Sequence, residues 1–547
     1  MTGHLLEVRD LSVRFHTKLG PVDAVQNVSW FLDRGETLVI LGESGSGKSV
    51  SASAVMGLID IPPAEIRSGR IDFAGRDLLT IDATARREVN GQRVAMIFQD
   101  PLAALNPVYP VGRQIAESMT AHGVPTAEAR QQAMALLAKV GIPDPERRFH
   151  DYPHQFSGGQ RQRVMIAAAI AMQPDVLIAD EPTSALDVTV QAGILKLLKQ
   201  LQAETGMAVL LITHDIGVAA DVGDRVVVMQ NGAVVEQGPL RDVLADPQHA
   251  YTQRLLDSVP GRHGFAKKRT YQSEPILEVR NLSKYYDLTR GILKVDTGHK
   301  LRALDDVSLT LSKGEVLGIV GESGSGKSTL VNTLLGLTTA TSGDVIFRGR
   351  SILDGDPRQL KAARRNIQVV FQDPTASLNP RMSVRRIISE PWVVHDVVLP
   401  RSEWRARVET LLQQVGLKPE HADRYPHQFS GGQRQRIAIA RALALEPEII
   451  VCDEAVSALD VSIQAQIIQL LKDLRERLGL SYLFVAHDLP VVRDFADRTI
   501  VMKSGKIVEI GNTAELFDNP QHEYTQQLLA SRPEEERLRG SVKDTVQ

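Results

Sequence analysis

Seven residues, ESGSGKS, occur twice in this sequence, at 43–49 and again at 322–328. With the glycine before each they give Gly42-x4-Gly47-Lys48-Ser49 and Gly321-x4-Gly326-Lys327-Ser328, the spacing of a phosphate-binding loop. Gly42, Gly45 and Gly47, and equally Gly321, Gly324 and Gly326, let backbone N–H groups converge on phosphate oxygens, with Ser44 and Ser323 between them. The helix that must follow adds its positive N-terminal end. Lys48 and Lys327 are placed to neutralise β and γ phosphates, and the hydroxyls of Ser49 and Ser328 to ligate Mg²⁺. A Gly-Ser linker could carry one such match. Two matches, each directly after an apolar run, leave that reading no weight.

Further along, VLIADE (176–181) and IIVCDE (449–454) place Asp180-Glu181 and Asp453-Glu454 at the ends of apolar runs. Acidic strand ends are often solvated edges. Downstream of a phosphate loop, the aspartate suits a role at Mg²⁺ and the glutamate suits orienting or deprotonating an attacking water. Cys452, in the second run, reads as a small core residue. Ser157-Gly158-Gly159-Gln160 and Ser430-Gly431-Gly432-Gln433 each precede an apolar helical stretch and so open a second helix N-terminus. An ordinary N-cap has the same look. His214 and His487 close the runs VLLITHD and LFVAHD.

Such residues need a sheet to hold them. ETLVILG (36–42), DVLIADE (175–181) and MAVLLITHD (207–215) are short apolar runs ending on turn or polar residues, the pattern of buried parallel strands. TVQAGILKLLKQLQAETG (189–206) carries apolar residues at helical spacing and stops at glycine. The fold class is therefore α/β, with the ligand at the strand carboxyl ends.

The whole pattern is duplicated. Gln99 recurs as Gln372, Ser157 as Ser430, Asp180 as Asp453 and His214 as His487, each 273 residues on, while the loop recurs after 279. The first copy thus has six more residues between loop and glutamine, mostly in IDIPPAEIRSG (59–69). The second copy is longer ahead of its loop, around LTRGILKVDTGHK (288–300). Two repeats of this size are two domains, at 1–260 and 276–535, joined by a polar, basic linker at 261–275 and followed by a charged tail at 536–547.

Composition narrows the function. A net charge of −3 does not mark nucleic acid as a partner, and one cysteine in 547 residues excludes a disulfide framework, a Cys-rich zinc site and an all-Cys iron–sulfur cluster. The longest apolar run, Val164 to Met172, has nine residues, where about 18–20 are needed to span a bilayer. The opening MTGHLLEVRD reaches charged residues before a signal-peptide core could form. The expectation is a globular protein of the cytosol that reaches a membrane only through a partner.

The order of phosphate loop, FSGGQ, Asp-Glu and His resembles the ATP-binding-cassette (ABC) ATPases, over nearly the whole chain and in two copies. The resemblance implies two tandem P-loop domains, each with a RecA-like parallel-sheet core, an antiparallel β subdomain and a helical signature subdomain. In that family two cassettes close head to tail, each ATP lying between one domain's loop and the other's signature. Carried over, Lys48 pairs with Ser430, Gly431, Gly432 and Gln433, and Lys327 with Ser157, Gly158, Gly159 and Gln160. Gln99 and Gln372 match the residue that touches Mg²⁺ and reports to the membrane partner, which puts Ser49, Gln99 and Asp180, and Ser328, Gln372 and Asp453, at the metal. Glu181 and Glu454 match the catalytic glutamate, and His214 and His487 the switch histidine. Asp187 and Asp460, in SALD, match the loop that crosses the interface. Phe15 and Tyr286 sit where the family stacks an aromatic on adenine, a place a core aromatic also fits. The signature starts with Phe156 and Phe429 where leucine is commoner, and the second copy has Ala455-Val456 for Pro182-Thr183, which would loosen the loop after Glu454.

Within the family, FQDP…LNP, YPHQFSGGQRQR and the closing HxYTQxLL are similar to the peptide and nickel importers, here fused as one chain. That resemblance implies an ATPase that needs ATP and Mg²⁺, seated peripherally on the cytoplasmic face of the membrane. Its partners would be two transmembrane permeases, whose coupling helices dock around Asn106 and Asn379, and through them an extracytoplasmic solute-binding protein. HxYTQxLL also reads as a C-terminal helix packing on its own domain. The alternatives are an importer for nickel, glutathione or another small solute, and a twin-cassette ATPase acting on ribosomes or DNA. The short linker and the cysteine count disfavour the last.

Overall fold

A computed structural model describes residues 3–17, 20–183, 186–259, 275–290, 295–353, 355–395, 399–457 and 459–530. The expected linker, apart from Pro275, and the charged tail lie outside the described residues. The chain divides into two compact units, one running up to Val259 and one taking in Pro275 to Ala530.

In the first unit a six-stranded sheet runs in the order Ala233–Pro239, Arg225–Gln230, Thr37–Leu41, Ala208–Thr213, Val176–Asp180, Val94–Ile97. All neighbours are parallel except the outermost pair, Ala233–Pro239 on Arg225–Gln230. Thr37–Leu41 is buried on both faces, and its period of two divides it between two cores. Leu38 and Ile40 join the core under a four-stranded antiparallel sheet (Gly20–Leu32, Leu6–Thr17, Ala64–Phe73, Arg76–Asp77). Val39 and Leu41 join the core built with the helices Val111–Thr120, Thr126–Lys139 and Gly158–Ala169. Helix Val188–Thr205 ends at Gly206 in a left-handed C-cap, as its sequence predicts.

The second unit repeats the plan. Its large sheet runs Ile367–Val370, Ile449–Asp453, Ser481–Val485, Val316–Val320, Arg498–Lys503, Lys506–Asn512. Leu317 and Ile319 face the core beneath the small antiparallel sheet, and Val316 and Val320 face the helical one. In both units the phosphate loop, the Asp-Glu pair and the histidine leave neighbouring strands at their carboxyl ends. The expected α/β architecture of two tandem domains is borne out.

Candidate nucleotide site

Each loop is pinned by backbone approach. A Cβ on Gly42 would lie 2.3 Å from the Met229 carbonyl oxygen, and one on Gly47, at φ +97°, 2.4 Å from that of Ala24. Gly321 and Gly326 stand in the same relation to Met502 and Ala303, at 2.3 and 2.5 Å. At the loop tips the space is open: a Cβ on Gly45 or Gly324 meets nothing within 4 Å, and Ser44 and Ser323 are exposed beside them. The helices Lys48–Met56 and Lys327–Leu334 start at once after the loops.

Lys48 is buried, and its ammonium donates to the carbonyls of Gly42 at 2.7 Å and Glu43 at 2.8 Å. Lys327 repeats this with Gly321 at 2.7 Å and Glu322 at 3.0 Å. A phosphate oxygen is a stronger acceptor for an ammonium than a neutral carbonyl, so the lysine is held in reach of a better partner. Ser46 Oγ and Ser325 Oγ are buried in the loops with no hydrogen-bond partner among the described residues. Sequence reading singled out neither, since serine between glycines reads as loop.

Below the first loop, Ser49 Oγ donates to Asp180 Oδ1 at 3.0 Å. Burial, aided by the charge of Glu181, raises the Asp180 pKa, against the Ser49 hydrogen bond. In the second unit Asp453 Oδ1 is buried without a partner among the described residues. Burial and the neighbouring Glu454 push its pKa up to about 6. Hydroxyl and carboxylate oxygens suit Mg²⁺, and an orphaned, reluctantly charged carboxylate is what a divalent cation would satisfy.

Glu181 and Glu454 follow with φ of 45° and 49°, a left-handed backbone unusual for glutamate. Each is pinned by its own N–H, to the Ile212 carbonyl at 2.9 Å and the Val485 carbonyl at 3.0 Å. The bend turns Glu181 between two partners: Gln99 Nε2 donates to Oε2 at 2.8 Å and His214 Nδ1 meets Oε1 at 3.0 Å. Burial opposes the charge of Glu181, but His214, Lys48 and Gln99 outweigh it and hold its pKa low. Glu454 is held low by His487, whose Nδ1 lies 3.6 Å from Oε2. Burial disfavours the charged His487 ring, and Glu454 more than offsets it, raising the histidine pKa. Gln372 is exposed and not drawn to Glu454 by a hydrogen bond among the described residues. Ala455 and Val456 are buried in the second core, and Ser457 Oγ closes the turn on the Glu454 carbonyl at 2.9 Å, so the loop expected to loosen is packed instead.

The signature serines are helix N-caps. Ser157 Oγ accepts from the Gln160 N–H at 3.3 Å while Gln160 Oε1 accepts from the Ser157 N–H at 3.1 Å. Ser430 and Gln433 form the same capping box. Gly158 and Gly431 are exposed; a Cβ on Gly159 or Gly432 would strike Val190 or Ile463 at 2.4 Å, which fixes the signature helix close against the next one. Asp187 caps that next helix through the Val190 N–H at 3.0 Å, and Asp460 holds the matching N-cap position. Phe15 packs against the core of the small sheet, whereas Tyr286 is 41% exposed with Lys284 Nζ 4.9 Å from its ring centre.

Residues 25–184 and 304–457, spanning loop, signature and acidic strand in each unit, match the ABC transporter family. This chain belongs to that family. Residues 235–284 and 508–546 also match the oligopeptide/dipeptide transporter C-terminal region. The ABC chain is 48% identical over 531 residues to the peptidoglycan transport ATP-binding protein YejF of Agrobacterium fabrum, covering 97% of this chain and 96% of that protein. It is 47% identical, in alignments of 561 residues, to the glutathione import ATP-binding protein GsiA of Shigella dysenteriae serotype 1 and of Escherichia coli K12, covering 97% of this chain and 90% of each relative. The reading as a twin-cassette transport ATPase is borne out over the ribosome or DNA alternative. Among the described residues, no helix of this ABC protein is long and apolar enough to cross a membrane.

Proposed function

We propose that this chain is the energy-coupling ATPase of an importer for peptides or peptide-like solutes, attached peripherally to two membrane permeases that receive solute from an extracytoplasmic binding protein. The observation that carries the ATPase chemistry is Glu181 in its left-handed turn between Gln99 and His214, with only the histidine's strand between its own strand and the one that leads to Lys48. The transporter C-terminal region matched in both cassettes supports the solute class.

Lys48 and Lys327 would turn from their loop carbonyls to the phosphates of ATP. Ser49, Asp180 and Gln99, and Ser328, Asp453 and Gln372, would hold Mg²⁺, which supplies charge neutralisation for the departing diphosphate. Glu181 and Glu454, kept ionised by their histidines, orient the attacking water and take its proton. Each loop is completed by the other cassette's signature, so that two ATPs favour a closed state and hydrolysis releases it.

Double variants test this pairing. If Lys48 and Ser430 serve one site, Lys48→Ala with Ser430→Ala leaves the second site intact and costs little more than either change alone. Lys48→Ala with Ser157→Ala then cripples both sites, and ATPase activity falls to background. The opposite pattern refutes the reciprocal assignment. ATPase activity indifferent to a reconstituted permease pair and its peptide-loaded binding protein refutes the import role.

The faces around Asn106 and Asn379 differ in chemistry. The first exposes Leu102, Val108 and Tyr109, with Arg113 folded over the Tyr109 ring at 4.4 Å. The second has Thr375 and Arg381 for Leu102 and Val108, and Arg381 and Arg386 are exposed with no ion pair among the described residues. This difference supports the reading that the two faces dock unlike permeases, one presenting an apolar coupling segment and the other an acidic one.

A further inference from the structure

Each cassette closes on an eight-residue helix from the HxYTQxLL repeat, Ala250–Asp257 and Glu523–Ala530. ATP hydrolysis assigns no role to these helices. Their tyrosines, Tyr251 and Tyr524, are buried, each only 4% exposed. The hydroxyl of Tyr251 accepts a hydrogen bond from the Glu43 N–H at 3.0 Å, and that of Tyr524 from the Glu322 N–H at 3.1 Å. Glu43 and Glu322 are the second residues of the phosphate loops.

An N–H shares a rigid plane with the preceding carbonyl. The carbonyl partnered with the Glu43 N–H is that of Gly42, which accepts from Lys48 Nζ at 2.7 Å. The Glu322 N–H shares its plane with the Gly321 carbonyl, which accepts from Lys327 Nζ at 2.7 Å. One peptide is thus gripped from both sides, by tyrosine on the N–H and by the cradle lysine on the C=O. Rotating it to break the tyrosine bond would swing the carbonyl away from the ammonium.

The tyrosine is itself held in place. Glu236 accepts from the N–H groups of Gln248 and His249 at 2.8 and 3.1 Å, and His249 Nδ1 accepts from the Tyr251 N–H at 3.2 Å. Glu509, Gln521, His522 and Tyr524 repeat the chain of contacts at 2.9, 3.0 and 3.0 Å. A buried tyrosine hydroxyl needs some partner, and many carbonyls would serve. Choosing the same loop N–H in both copies, across 208 and 202 residues of chain, points to the loop as the purpose.

We propose that Tyr251 and Tyr524 are positioning residues of the two ATP sites: they lock the peptide that holds the cradle lysine, so that the C-terminal region of each cassette sets the shape of its phosphate loop. The inference rests on the reading of these loops as ATP sites and is independent of the solute. Tyr251→Phe with Tyr524→Phe, made in the full chain, keeps the rings and removes only the hydroxyls. Loss of one such hydrogen bond is expected to weaken a fluorescent ATP analogue and raise KM for ATP by about three- to tenfold. The same variant should leave kcat within about twofold and lower the melting temperature by no more than a few degrees, and should speed hydrogen exchange across residues 42–48 and 321–327. Unchanged KM and exchange overturn the proposal. So does a parallel fall of kcat and melting temperature beyond those limits, which would make the tyrosines fold-holding residues only. If the unaltered chain failed to bind the analogue, the ATP-site reading itself would fall, an outcome distinct from either.

Discussion

Arg475→Ala is expected to destabilise the second cassette far more than a surface change would. Arg475 and Asp497 form an ion pair at 2.5 Å with side chains only 8% and 4% exposed. The guanidinium also donates to the Gly314 carbonyl at 2.9 and 2.7 Å, and Asp497 Oδ2 accepts from the Val316 N–H at 2.8 Å. The pair ties helix Val461–Leu478 to the start of the strand that leads into the phosphate loop. Removing the arginine leaves a carboxylate in a buried site without its cation, which costs about 3–5 kcal/mol. For a cassette of this size that is a fall in melting temperature of roughly 6–20 °C.

The first cassette supplies the control. Its matching residues are Gln202 and Asp224; Gln202 bridges Gly35 and Thr37 by hydrogen bonds at 3.0 and 3.1 Å, and Asp224 is exposed. The same fold therefore manages without the ion pair where the acid is solvated. Calorimetry of the intact chain reads the effect, with the unaltered first cassette as reference. Most of the cost is the stranded charge and not the lost attraction, so Arg475→Ala with Asp497→Ala should melt above Arg475→Ala alone. A single variant that melts within about 2 °C of the parent would refute the reasoning, as would a double variant less stable than the single one.

Glu181→Gln keeps the shape of the site and removes the base, so turnover there is expected to fall on the order of 10²-fold or more while ATP stays bound; Glu454→Gln should do the same at the other site. Unchanged ATPase rates in both variants would remove these glutamates from the chemistry. Arg381→Glu with Arg386→Glu should weaken binding of one permease by about tenfold at low salt and spare the other, with acid-to-lysine changes in the affected permease restoring it. Equal loss of both permeases, or of neither, would count against unlike docking faces.

What could be read from the sequence was whatever a loop writes into consecutive residues. The phosphate loops, the Asp-Glu strand ends and SGGQ each carry their signature in fewer than ten consecutive residues, so spacing alone located them, although the shape of each loop also rests on distant backbone such as that of Met229 and Ala24. The strands around them were legible for the same reason, since period two and period 3.6 are local properties. The left-handed φ of Glu181 was not, because nothing in the run VLIADE distinguishes a bent glutamate from an extended one. Tyr251 was visible only as helix packing, because its reach to Glu43 crosses 208 residues and depends on how two layers meet.

The duplication partly repairs this blindness. Some long-range contacts repeated in both copies only hold the fold, as the Arg225–Glu36 and Arg498–Glu315 ion pairs do; those of Tyr251 and Tyr524 differ in ending on the phosphate loop itself. Where the copies diverge, as Gln202 and Arg475 or Val108 and Arg381 do, the difference belongs to one cassette's own packing or its own partner. Two copies of one cassette on one chain thus supply an internal comparison: Tyr251→Phe and Tyr524→Phe should alter ATP kinetics alike in the two cassettes, while Arg381→Glu should leave them unchanged.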